Sequence, residues 1–279
     1  MRRLAILFAA LAFSGSASAA DMAVKAPPPA SAPAYSWTGF YIGGNAGYGW
    51  KGDPAVSFAP NDRLTLTNTC GGGNCPPSAL FNIDGALGGV QTGYNLQVNQ
   101  NWLVGLETDF DWSKVKGTGS SDILFGGVAP GNFQAAENIT WFGTIRARAG
   151  YLVTNKLLLY GTGGFAYGRV EETGALNFGL ATSGIGFGFG FNCGTGIGTN
   201  CFVGNNSRTA TGYVYGAGAE YALWNNISVK AEYLYVNLGR GNALNIVAQN
   251  GNGAIPASFT ASYSGVAFQL VRGGLNWKF

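Results

Sequence analysis

The sequence predicts an all-β chain in which eight antiparallel strands close into a barrel that spans a membrane. Three observations predict it. Hydrophobic residues make up 47% of the 279-residue chain and charged residues only 10%, far below the roughly 25% usual in soluble domains. After the N-terminus, no stretch reaches the ~18 uninterrupted apolar residues that a spanning helix needs. Segments of alternating hydrophobicity recur instead, separated by Asn-, Gly- and Pro-rich connections, as expected of strands with one face in lipid. The last of them runs Val271-Arg272-Gly273-Gly274-Leu275-Asn276-Trp277-Lys278-Phe279, apolar at 271, 275, 277 and 279 and polar at 272, 276 and 278. An open edge of that character invites aggregation in water, whereas a closed barrel in lipid has no edge.

The N-terminus predicts export. Met1-Arg2-Arg3 is basic, Leu4 to Phe13 is apolar, and Ala17-Ser18-Ala19 is a small-residue cleavage site. Residues 1–20 therefore read as a secretory signal peptide. Residues 21–36 include Lys25-Ala26-Pro27-Pro28-Pro29-Ala30-Ser31-Ala32-Pro33 and read as an extended periplasmic linker, because proline cannot donate to a sheet ladder. Residues 37–279 remain for the barrel.

Strands are expected over 38–50, 83–98, 101–113, 138–153, 156–171, 209–223, 227–239 and 260–279. Tight Asn-rich turns at Val98-Asn99-Gln100-Asn101, Thr154-Asn155-Lys156 and Trp224-Asn225-Asn226 alternate with long connections at 51–82, 114–137, 172–208 and 240–259. Short periplasmic turns and long extracellular loops are the connectivity of an outer-membrane barrel.

Charges test the phase of each strand, because alternate side chains face lipid and lumen. Trp102, Val104, Leu106, Phe110 and Trp112 lie opposite Glu107, Asp109 and Asp111. Ile145, Ala147, Ala149 and Tyr151 oppose Arg146 and Arg148, Tyr213 to Tyr221 in steps of two oppose Glu220, and Val229, Ala231, Tyr233 and Tyr235 oppose Lys230 and Glu232. Only Leu157-Leu158-Leu159-Tyr160 is apolar in both phases, which leaves the faces of that strand open. Five acids (Glu107, Asp109, Asp111, Glu220, Glu232) and four bases (Arg146, Arg148, Lys230, Arg272) are thus expected in one lumen. An eight-stranded barrel has an interior just wide enough for side chains to fill, so a mutually paired charged core is the expected arrangement. A small diffusion channel for ions or small solutes is the alternative use of the same charges.

Other classes are disfavoured. Glu107 and Asp109 would suit glycosidase acid/base work, but two carboxylates at i and i+2 follow from a shared strand face. The chain has no histidine, which removes the usual proton carrier near neutral pH and the commonest haem and zinc ligand. Tyrosine can ligate haem iron, yet the 13 tyrosines read as outward or interfacial residues. No enzymatic activity, cofactor or metal is therefore expected, and a net charge of +3 with scattered bases gives no support for nucleic acid as a partner. Cys70 and Cys75 lie in one long loop and Cys193 and Cys201 in another. In an oxidising compartment they form either two local disulfides, 70 with 75 and 193 with 201, or a cross-link between the loops.

The signal ending Ala-Ser-Ala-Ala-Asp, the Pro-rich linker, the segment Tyr35-Ser-Trp-Thr-Gly-Phe-Tyr-Ile-Gly-Gly-Asn-Ala-Gly-Tyr-Gly49, the segment Tyr160-Gly-Thr-Gly-Gly-Phe-Ala-Tyr-Gly-Arg169 and the C-terminal nonapeptide together resemble the small outer-membrane β-barrel proteins of alphaproteobacteria, described as porin-family or major outer-membrane immunogenic proteins. The resemblance implies an OmpA-like barrel in the outer membrane of a Gram-negative bacterium. It also implies outer-membrane lipid as surroundings, and insertion by the barrel assembly machinery through a final strand ending in Phe279, with Trp277 and Leu275 as part of that signal. It supplies no catalytic residues, and it leaves loops 51–82 and 172–208 as the surfaces available to a ligand.

Overall fold

The structure, a computed structural model, describes residues 35–52, 55–61, 79–125, 129–178, 200–248 and 258–279. Among these residues twelve strands form: β1 (Gly39–Lys51), β2 (Ala55–Pro60), β3 (Ala79–Leu80), β4 (Ile83–Gln97), β5 (Trp102–Phe125), β6 (Ala129–Thr154), β7 (Leu157–Phe178), β8 (Asn200–Trp224), β9 (Ile227–Asn237), β10 (Leu244–Ala248), β11 (Ser258–Tyr263) and β12 (Ala267–Lys278). Eight of them close a ring in the order β1, β4, β5, β6, β7, β8, β9, β12 and back to β1, every neighbour antiparallel. Closure satisfies the backbone without water, as lipid requires.

The turns on one rim are tight because their side chains accept the free amides. Asn99 Oδ1 accepts from the N–H groups of Asn101 at 3.0 Å and Trp102 at 2.9 Å, and Thr154 Oγ1 accepts from the Leu157 N–H at 3.1 Å. On the opposite side the strands run well past their predicted ends. Among the described residues, the expected loop 114–137 is an extension of β5 and β6, residues 172–178 and 200–208 of the expected loop 172–208 extend β7 and β8, and the expected final strand 260–279 is two strands, β11 and β12. The cause is an inward apolar phase that persists above the membrane: Val115, Phe133, Ile139, Val170, Leu176 and Phe202 are all buried. Their outward neighbours turn polar there, and that hid the alternation. β11 leaves the ring because its own ladders are with β10 and β2 (Leu244↔Ala261, Phe259↔Pro60) rather than with β9 or β1. β2, β10 and β11 thus cover the extended strands, and Phe58 stacks on Phe133 at 4.5 Å with Phe259 edge-on to Phe133 at 5.3 Å.

A bulge at Thr140 takes up the change of phase in β6. Trp141 pairs with Arg169 and Ile139 with Val170, so the inward set switches from Phe142, Thr144, Arg146 and Arg148 to Ile139, Glu137, Ala135 and Phe133. The fifth expected strand, β7, is resolved as well: Leu158 and Tyr160 point inward and are buried, while Leu159 is exposed to lipid.

The outer face carries the membrane band. Trp102, Tyr151, Trp224 and Trp277 mark its periplasmic edge and Trp112 and Tyr213 its outer edge, all exposed. Between them lie Ile42, Val90, Leu106, Ile145, Val271 and Leu275. From Trp102 to Trp112 a tilted strand climbs about 26 Å at about 2.6 Å per residue, the height of the apolar band of such barrels, about 25 Å.

Candidate functional site

The interior of the ring is the candidate site, and it is filled in three tiers. The periplasmic floor is apolar: Trp37, Leu103, Leu152, Leu158 and Ala222 are buried together with the ring of Tyr160, and Tyr35 packs against them. Trp37 Nε1 donates to the carbonyl of Asn155 at 3.1 Å, tying the segment before β1 to a turn on the same rim. Trp37→Ala should lower unfolding free energy by about 3 kcal/mol or more, the cost of cutting a large buried aromatic to a methyl group, measured by urea titration of the refolded protein. An unchanged midpoint would show that the floor does not contribute to stability.

The middle tier is ionic. All nine charged side chains that the strand phase pointed inward are buried there. Arg146, on β6, meets Glu107, Asp109 at 2.9 Å and Glu232 at 3.3 Å. Arg272, on β12, meets Asp109 at 2.7 Å, Asp111 at 2.8 Å and Glu232 at 2.9 Å. Lys230, on β9, reaches both carboxylate oxygens of Glu107 at 2.8 and 2.9 Å. β9 and β5 stand on opposite sides of the ring, so that ion pair spans the lumen. Arg148 binds Glu220 at 2.6 Å and lies 4.1 Å from the ring centre of Tyr160, close enough for a cation–π contact.

Neutral groups complete the set. Tyr41 donates to Glu107 at 2.6 Å and Tyr160 to Glu232 at 2.8 Å. Ser228 and Asn276 donate to Glu220 at 2.5 and 2.9 Å, and Gln91 donates to Asn276 at 2.6 Å. Tyr41 and Tyr160 correct the expectation that tyrosines lie outward: each hydroxyl supplies a hydrogen bond that a buried carboxylate needs. Their inward phase, shared with Asn45 on β1 and Leu158 on β7, was the available signal.

The upper tier is apolar again. Phe142 on β6 and Phe268 on β12 meet edge to face at 5.4 Å, from diametrically opposed strands, and Val214, Leu234 and Leu270 fill the space around them. Above it sit two further ion pairs in segments expected to be loops, Lys51 with Glu137 at 3.1 Å and Arg208 with Glu172 at 3.6 Å. Burial raises the Glu137 carboxyl above its ordinary pKa, with Lys51 opposing the shift.

The C-terminal residues lie on the outer surface. Leu275 and Trp277 face lipid and Phe279 is 79% exposed, its ring stacked with Trp277 at 6.2 Å and its N–H donating to the carbonyl of Phe40 at 2.9 Å. Cys70, Cys75 and Cys193 lie outside the described residues, as does the expected signal peptide; Cys201 stands on β8.

A family model described as "Outer membrane protein beta-barrel domain" matches residues 6–279. The chain belongs to the outer-membrane β-barrel family. This outer-membrane β-barrel protein is 38% identical, over the full length of both chains, to the 31 kDa outer-membrane immunogenic protein of Brucella melitensis biotype 1. It is 31% identical to the 22 kDa outer membrane protein of Rhizobium leguminosarum bv. viciae, over 74% of this chain and 66% of that one. Among solved structures it is similar to the outer membrane protein OprG from Pseudomonas aeruginosa, with a TM-score of 0.41 and 11% identity over 87% of this chain and 97% of that one. The barrel protein resides in the outer membrane of a Gram-negative bacterium.

Proposed function

We propose that this protein is a structural, non-conducting outer-membrane barrel whose lumen is closed by its own side chains, with the extracellular sheet extension available for surface contacts. The observation that carries the reading is the Lys230–Glu107 pair joining opposite walls, between an apolar floor and an apolar roof. A porin-like diffusion channel needs a continuous wet path, and the charged tier that joins opposite walls interrupts it. Acid/base catalysis has little support in the lumen, because the five carboxylates of the middle tier each accept from a base. Liposomes carrying the mature protein should swell in isotonic small sugars no faster than empty ones; swelling comparable to that of a porin of known pore size would reject the reading.

The same reading gives the C-terminal strand a role in assembly. Phe279 contributes a single backbone hydrogen bond and lies on the surface, so its deletion should slow insertion into bilayers severalfold yet leave the urea midpoint of the folded barrel within experimental error. Normal insertion rate and yield for the truncated chain would remove Phe279 from the assembly signal.

A further inference from the structure

We propose that the outward face of the sheet above the membrane holds the phosphorylated saccharide headgroup of an outer-leaflet glycolipid, with Lys114 and Lys116 meeting its phosphates and a hydroxyl- and amide-lined groove on β5 to β8 meeting its sugars. The groove has a volume of about 520 Å³, and its outward side chains include Thr118, Ser120, Gln134, Thr173 and Asn205 over a small-residue floor at Ala136 and Ala175. Hydroxyls and amides both donate and accept, which suits a saccharide. The surface is continuous with the lipid-facing one, since Lys114, Lys116 and Thr118 follow Trp112 on the same face of β5.

Height and charge select the occupant. At about 2.6 Å per residue for a tilted strand, Lys114 and Lys116 stand about 5 and 10 Å above Trp112, and the groove about 16 to 21 Å above it. That is the order in which a glycolipid presents phosphates and then core sugars. The acids on this face each have a neighbour. Asp84, opposite Lys116 in the ladder, accepts from the Tyr48 hydroxyl, Asp122 accepts from Asn132 at 2.7 Å, and Glu171 accepts from Asn138 at 3.3 Å and faces Arg169 at 3.8 Å. Lys114 and Lys116 are exposed, and no ion pair among the described residues takes either. Basic residues placed just outside an apolar band attract anionic headgroups.

The test uses the mature protein refolded into phosphatidylcholine nanodiscs, with binding of a fluorescent, bis-phosphorylated lipopolysaccharide bearing only inner-core sugars as the readout. Lys114→Glu with Lys116→Glu should weaken binding by about tenfold or more, and the gentler Lys114→Gln, Lys116→Gln pair should weaken it less. Thr173→Trp, which fills the groove, should weaken binding of the core-bearing lipid severalfold and leave the core-less lipid unaffected. Inorganic phosphate should not displace the lipid. Variants that bind like wild type, equal binding of the dephosphorylated lipid, or displacement by millimolar phosphate would overturn the assignment.

Discussion

Replacing Arg146 by alanine is expected to lower the unfolding free energy of the refolded barrel by about 3–5 kcal/mol and to raise its ion current above that of the wild type, which the proposed closed lumen holds near zero. Arg146 neutralises carboxylates from two strands at once: Glu107 and Asp109 on β5, and Glu232 on β9. The side chains of all four residues are essentially inaccessible. Removing the guanidinium leaves three carboxylates with one fewer partner: Glu107 keeps Lys230, Asp109 keeps Arg272 and Glu232 keeps both, so the buried cluster is short of one positive charge. A buried charge without its partner destabilises far more than an intact pair stabilises. Water entering the vacated space relieves part of that cost, which is why loss of stability and gain of current should appear together. Equilibrium urea unfolding and bilayer current on the one variant read both; in a wide, wet pore the substitution would change ion selectivity and leave stability almost untouched.

Phe268→Ala is expected to destabilise by a comparable amount, about 3–5 kcal/mol for a large core aromatic cut to a methyl group, while leaving the lumen closed. Phe268 meets Phe142 across the barrel, and neither is accessible to solvent. The cavity left behind is apolar and stays dry, and the charged tier below it is intact. Urea unfolding should therefore show a lower midpoint at unchanged slope, with no steady current. A conducting Phe268→Ala barrel would mean that the charged tier alone does not close the lumen.

The contrast between these two variants tracks what was legible in the sequence. The ionic tier could be read because a charge on a lipid-facing position costs about 2–4 kcal/mol at the bilayer centre, so Glu107, Arg146 and Lys230 announce the inward phase of their strands. The apolar tiers could not be read in the same way. Phe142, Phe268 and Leu234 occupy inward positions yet look like lipid-facing residues, since hydrophobicity alone does not distinguish a packed lumen from an acyl chain. Trp37 falls within the barrel by position but its partners cannot be read, because its contacts at Leu103, Leu152 and Leu158 are distant in sequence. The strand extensions are hidden for a related reason. Above the outer aromatic belt the outward residues become Lys116, Thr118 and Thr173, and the polar composition of a loop conceals an alternation whose inward members, Val115, Val170 and Leu176, still pack. The split between β11 and β12 depends on pairing with β2 and β10, which no local pattern encodes.

The central claim, a lumen closed by its own side chains, is tested most directly by single-channel recording on the refolded mature wild-type protein in a planar bilayer across a range of salt. The closed three-tier interior predicts no steady conductance until Arg146 is removed. A stable, large open-channel current in the wild type, scaling with bulk salt, would contradict it.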